Sequence, residues 1–398
     1  MDRDTRKYIS LISFFRKFIS VFFSLFFNIY VIKIVNDVGV ILKYSLVGVI
    51  FDGLFSILIA SILNKKNAKF IYSSSFIQLI ICTILLITLK ENICNYLYIF
   101  RILYSLSVTC YSIPYEMAIM GSNNHKTMSN FLADVNILNY LAAILTPFFS
   151  GFIIETFSYN VLFFILSIEA LLIIIMSLQI KSFYVDENKV NLKTFLLKVK
   201  KYPHLTNIYK CMFFRRISFR GALEDLLPVL LFLKVGSELS VGSYNSLFAL
   251  ISIISLLLLK MINKKNIDKK FYIYFAIIIF TSSIFLVIDT SFISLLIYYI
   301  VMNSFGTVLE SESCSAVYNS INITDLHQYK REHQILFNIY MIFGQVISYG
   351  FSIILYTYFY NPNILSLAIS VMMLFTIIES IYLQKVENYL KKLKEETI

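Results

Sequence analysis

Residues Ile62 to Tyr72 read ILNKKNAKFIY, and residues Met261 to Tyr274 read MINKKNIDKKFYIY. Each is a short basic phrase between two apolar runs. Asn64 and Asn263 stand 199 residues apart in a chain of 398. The phrase returns after half the length, and its meaning depends on what surrounds it.

The surroundings are apolar. The chain is 58% hydrophobic and only 15% charged, with a mean hydropathy of +0.74, whereas a soluble domain carries roughly 25% charge. That is too little polar surface to coat a globule of this size, so the composition is that of an integral membrane protein. The net charge of +11 would suit a nucleic-acid binder, but in a membrane protein the placement of charge matters more than its sum. Cys82, Cys94, Cys110, Cys211 and Cys314 lack metal-ligand spacing and are expected as small buried apolar groups. His125, His204, His327 and His333 are expected in loops or at helix ends. The first apolar run is too long for a signal peptide's core, and no small-residue cleavage site follows it. It is read as a retained first span.

A helix needs about 20 apolar residues to cross a bilayer. Such runs cover 14–34, 41–62, 70–89, 94–118, 130–154 and 160–180, then 208–233, 241–262, 271–288, 291–317, 334–358 and 363–384. That predicts twelve spans, six on each side of the polar stretch Lys181–His204. With the N-terminus inside, 27 of the 35 Lys and Arg fall on the cytoplasmic side. Four (Lys33, Lys43, Lys90, Lys234) fall on the other, and Arg101, Arg215, Arg216 and Arg220 lie within spans. The asymmetry supports twelve spans with both termini cytoplasmic. The expected domains are a six-helix bundle at 1–180, a cytoplasmic linker at 181–206, a second bundle at 207–384 and a cytoplasmic tail at 385–398.

The 199-residue offset recurs. FFRKFIS (Phe14–Ser20) matches FFRRISF (Phe213–Phe219), placing Arg16 on Arg215. Asn139 and Gly151-Phe152 fall on Asn338 and Gly350-Phe351. Six spans per half give both halves the same orientation, hence two parallel bundles. In this frame the two basic phrases are equivalent cytoplasmic turns, whose lysines hold topology against anionic headgroups.

At this point the chain resembles the major facilitator superfamily. Ala60, Asn64, Lys65, Asn67, Ala68 and Lys69 stand where the family has G-x-x-x-D-R-x-G-R-K. Arg101, Ser105 and Ser107 resemble its R-x-x-x-G-x-G, and Thr146-Pro147 with Ser150-Gly151 resemble the exporters' G-P-x-x-G-G. The resemblance implies two six-helix bundles joined by a cytoplasmic linker, with a central cavity open alternately to each side. It also implies gating loops at Asn64, Lys65 and Lys69 and at Asn263 and Lys264, with Asn in place of the usual Asp at position 64. Spans six and twelve, which carry Glu169 and Glu379, are peripheral in this family, so neither acid is expected to meet substrate.

Ionisable groups inside spans are costly and are commonly functional or paired. Arg216, Arg220 and Glu224 follow i, i+4, i+8 in the seventh span and would share one face. One reading is a cavity-lining cluster for an anionic or zwitterionic group. The other is an Arg220–Glu224 pair, with Arg215 and Arg216 snorkelling to the cytoplasmic surface. Pro228 is expected to bend this span. Asp52, Glu116, Asp134, Glu310 and Glu312 are the acidic candidates. One or more of Glu116, Asp134, Glu310 and Glu312 is expected to carry a proton, the alternative being pairing with Arg101 or Arg220. Asn136, Asn139, Asn338 and Gln345 are candidates for substrate contact or inter-helix hydrogen bonding.

No Walker A motif, nucleophile elbow, dinucleotide fingerprint or metal spacing is present, so neither enzymatic activity nor a cofactor is expected. The reading is a secondary active transporter in the cell membrane. It would move a small solute by alternating access, be coupled to protons, favour efflux over uptake, and act as a monomer in the bilayer without nucleic acid. The alternatives are a non-transporting sensor or immunity-type protein on the same fold, or a lipid-handling membrane protein.

Overall fold

A computed structural model describes the backbone of residues 3–120, 125–180, 190–264, 271–322, 326–361 and 363–396, with some side chains within these stretches excepted. The described residues hold helices and no strands. The first span runs Arg3–Val21, a π-helical turn Phe22–Phe26, then Phe27–Val35. Spans two to six are Val38–Ile62, Ala68–Leu89, Leu97–Met120, His125–Thr156 and Tyr159–Leu178. A short helix, Leu192–Val199, precedes the seventh span, which is formed by Pro203–Ser218 and Leu223–Val235. Spans eight to twelve are Glu238–Lys264, Phe271–Ile288, Phe292–Asn322 (with a π-helical turn at Met302–Gly306), Lys330–Phe359 and Ile364–Glu396.

Ten of the described helices are individually long and apolar enough to cross a membrane. Spans three and four run together as Ala68–Ala118 through the 3-10 turn Lys90–Tyr96, and the seventh is split, which reconciles ten with twelve. The fold is all-α with twelve spanning helices. Large apolar side chains stay exposed along the spans, Ile99 at 67% and Ile288 at 77% among them. Lipid rather than water is the solvent such a surface suits.

Local chemistry sets the turns. Asn36 takes a left-handed conformation (φ 52°) and Asp37 accepts from the Gly39 amide at 2.8 Å, so two residues end one helix and start the next. Ser291 caps the tenth span through the Ser294 amide. At the first basic phrase, Asn64 and Asn67 bond reciprocally: the Asn64 amide donates to Asn67 Oδ1 at 2.8 Å, and the Asn67 amide to Asn64 Oδ1 at 3.0 Å.

The described chain divides into two compact units: 1–189 with 235–247, and 190–234 with 248–398. In the first, span four packs on spans two and three, span three on six, and span one on five and six. In the second, span twelve packs on seven and nine, and span eleven on seven. The start of the eighth span, inside the second sequence half, thus belongs to the first unit.

The seventh span is not a continuous helix carrying Arg216, Arg220 and Glu224 on one face. It breaks at 219–222, ahead of Pro228, which sits within the resumed helix. The eleventh span satisfies the exposed backbone: Gln345 Nε2 donates to the Arg220 carbonyl at 2.8 Å, and the Ala222 amide donates to Ser348 Oγ at 3.0 Å. A backbone break inside a membrane is tolerated only with such partners.

Candidate functional site

The second unit gathers charge around this break. Arg215 Nη1 lies 3.1 Å from Glu379 Oε1, and its Nη2 lies 3.5 Å from Glu310 Oε1. Arg220 donates to Glu310 from Nε at 3.0 Å and from Nη2 at 2.7 Å, and from Nη1 to Glu224 at 2.8 Å. Glu310 therefore bridges two guanidiniums, one on each side of residue 218. Ser313 Oγ adds a bond to Glu379 at 3.3 Å. Arg216 has a different partner, the Met341 thioether, at 3.1 Å from Nε. The cluster is graded in exposure. Arg215 and Glu379 are buried, whereas Glu224 (41%), Arg220 (39%) and Glu310 (30%) are partly exposed. Partly exposed ions between apolar helices would cost several kcal/mol each in hydrocarbon, so water is the solvent that suits them.

Both sequence readings are thereby revised. The Arg220–Glu224 pair forms, and Glu310 joins it. Arg215 does not snorkel; it is fully buried against Glu379. Glu379, not expected to meet substrate, is fully buried and is the innermost acid of the cluster. Elsewhere in this unit Glu312 accepts from the Tyr272 hydroxyl, and Tyr349 donates to Asp225 at 2.5 Å. Asn338 accepts from Gln334 at 3.3 Å. His333 lies buried in the first turn of the eleventh span, its Nδ1 2.6 Å from the Tyr209 hydroxyl.

The first unit places a second ion pair, Arg101 Nη2 to Asp52 Oδ2 at 3.5 Å. The arginine lies across Gly48, where an added Cβ would fall on its guanidinium. Ser105 Oγ donates to the Gly48 carbonyl at 3.1 Å, and Ser107 Oγ to the Ser75 carbonyl at 2.8 Å. The serines in the R-x-x-x-S-x-S stretch thus tie span four to spans two and three. A Gly48→Val variant should push the flexible Arg101 side chain off its place beside Asp52, a loss of about 1 kcal/mol. A Gly48→Val/Arg101→Met double variant should recover part of that loss in melting temperature. No recovery would place the clash elsewhere.

Arg16, the repeat partner of Arg215, lies 5.8 Å from the Tyr104 ring centre and 5.6 Å from that of Tyr111. The 199-residue offset carries Tyr111 onto Glu310, so one position offers a π face in the first half and a carboxylate in the second. Asn139 accepts from Ser13 Oγ at 3.2 Å. Glu116 is half-buried in span four, apart from the Arg101–Asp52 pair in sequence. Asp134 has its side chain outside the described residues.

A third group closes the first unit at 235–247. Lys33 Nζ meets Glu238 at 2.6 Å, and the Tyr159 hydroxyl donates to the same oxygen at 3.1 Å. Glu155 accepts from Ser237 Oγ at 2.7 Å and from the Leu239 amide at 3.0 Å. The exporter-like stretch Thr146–Gly151 is the surface underneath: a Cβ on Gly151 would lie 2.6 Å from the Glu238 carbonyl. In the first basic loop Lys69 Nζ donates to the Leu178 carbonyl at 3.0 Å, capping the end of span six. Asn64 holds the turn and Lys65 is exposed. Asn263 and Lys264 end the eighth span with side chains outside the described residues. Among the described residues no group of His, Cys, Asp and Glu could hold a metal ion.

A family model described as Major Facilitator Superfamily matches residues 10–321. Among solved structures, a D-xylose-proton symporter superposes with a TM-score of 0.67 at 12% identity, covering 94% of this chain and 96% of that one. A bacterial homolog of the human lysosomal transporter Spinster, inward-facing and unoccupied, gives 0.64 at 13% identity, with 98% and 97% covered. At these identities the likeness concerns the fold. No curated protein sequence matches the chain. With twelve spans and a family match over most of its length, the chain belongs to the Major Facilitator Superfamily, a family of transporters and not of enzymes.

Proposed function

We propose that the protein moves a small solute across the cell membrane by alternating access, driven by protons, with both termini cytoplasmic and the monomer as working unit. The sequence division at 180 and 206 belongs to this reading. The observation that carries it is the partly exposed Arg220–Glu224–Glu310 cluster at a backbone break in mid-span. A lipid-facing cluster of that kind would be prohibitively costly, whereas a water-filled solute path accommodates it. The D-xylose-proton symporter that shares the fold supports proton coupling by analogy. Efflux is favoured over uptake on the Thr146–Gly151 stretch.

Among the acids, Glu312 is the proposed proton carrier. A proton on Glu310 would strip Arg215 and Arg220 of a shared counter-ion. A protonated Glu312 can still accept from Tyr272 through its carbonyl oxygen. The test is flux in proteoliposomes with an imposed pH gradient, using D-xylose, benzoate and ethidium as solutes of three charge types. The parent should accumulate or expel at least one of them. Glu312→Gln should cut gradient-driven flux at least about tenfold while sparing solute exchange. Gradient-driven flux unchanged in Glu312→Gln would remove the assigned carrier, and no flux of any solute would remove the transport reading.

A further inference from the structure

The three arginines of the seventh span, Arg215, Arg216 and Arg220, differ in what they meet. Arg215 has Glu379 and Glu310, and Arg220 has Glu310 and Glu224, all within 3.5 Å. Among the described residues no carboxylate stands at ion-pair distance from Arg216. Its Nε meets the Met341 sulfur at 3.1 Å, and a thioether is a weak acceptor. The side chain is half-buried, so bulk water does not fully solvate it either. A guanidinium presents five N–H donors in a planar fork that matches a carboxylate. Leaving such donors unmatched inside a membrane protein is costly unless something else supplies acceptors.

Intruding on the neighbours would be harder. An incoming anion at Arg220 must displace Glu224 or Glu310, and at Arg215 it must enter a buried pair. At Arg216 it displaces only a sulfur contact. Asn338 stands one turn before Met341 on the same span. Its oxygen is already used by Gln334, leaving its Nδ2–H2 as a further donor. We propose that Arg216 anchors an anionic group of the transported solute, a carboxylate in the first instance. The inference rests on the transport reading above and narrows the solute class.

The test is isothermal titration calorimetry on the full-length protein in phosphatidylcholine nanodiscs, with benzoate as probe and benzamide as its uncharged counterpart, at fixed ionic strength. Benzoate should bind and benzamide should not. Arg216→Gln should weaken benzoate binding at least about tenfold, the scale of a charge-assisted hydrogen bond. Arg216→Lys, which keeps the charge but loses the fork, should fall between the two and decides the matter should the Gln variant fail to fold. Absence of benzoate binding, equal binding of benzamide, or a substituted protein that binds as the parent would each overturn the assignment. Binding is read without a gradient. Benzoate binding through Arg216 in a protein that carries no flux would therefore refute transport and keep the site. Flux together with parent-like binding in Arg216→Gln would do the reverse.

Discussion

Glu379→Leu is expected to destabilise the protein by about 3–5 kcal/mol, the usual cost of removing one partner from a buried ion pair. The reason lies in burial: side-chain exposure is 2% for Arg215 and 0% for Glu379, so the orphaned guanidinium cannot reach water. Glu310, 3.5 Å away, is already shared with Arg220 and replaces the lost partner only partly. The check is the melting temperature in detergent together with the yield of monodisperse protein. Arg215→Leu/Glu379→Leu should recover most of the loss, because an apolar pair of similar volume removes the uncompensated charge. A single Glu379→Leu variant that melts with the parent would show that the pair contributes nothing to the fold.

Gly151→Val is expected to release the 235–247 segment from the first unit. The obstacle to an added Cβ is backbone: the Glu238 carbonyl at 2.6 Å and Leu239 Cα at 3.0 Å. Backbone cannot swing aside as a flexible side-chain end can, so the segment itself must move. The Lys33–Glu238 and Glu155–Ser237 contacts would be lost with it. Cysteines introduced by Glu155→Cys and Ser237→Cys report this directly. They should cross-link readily in the parent background, and at least about tenfold less when Gly151→Val is added. Unchanged cross-linking would mean that the close approach is not maintained in solution.

The spans were legible because hydropathy over some 20 residues is a local property. Each of the twelve apolar runs corresponds to a helix or, at the seventh, to a pair of helices. The repeat was legible too, and it reaches further than the loops that revealed it. The same offset places Phe22, the first residue of the π-helical turn in span one, on Gly221 in the break of span seven. Local departures from α geometry recur at one register in both halves.

The break itself was not legible. Pro228 is the usual signal for a bend, yet the interruption comes earlier, where Gln345 and Ser348 supply bonds that the helix gives up. Those partners lie about 125 residues away in sequence, beyond any spacing rule. Glu379 was missed for the same reason. Its peripheral span argued against a role, and its pairing with Arg215 across 164 positions exists only in three dimensions. The alignment of Arg16 with Arg215 was the one available hint that the position is special. Arg216, Arg220 and Glu224 were grouped by helical spacing, but the helix does not run unbroken through them: Arg220 pairs with Glu224 and Glu310, and Arg216 meets Met341.

We propose that the charged cluster lines a water path reached in turn from each side. It is tested most directly by placing Glu224→Cys in a background with the five native cysteines replaced, and labelling with a membrane-impermeant maleimide in vesicles of defined orientation. Labelling is expected from either face, with the thiol shielded from one side when solute or a pH gradient shifts the protein toward the other. Labelling from neither face, or from one face under every condition, would contradict it.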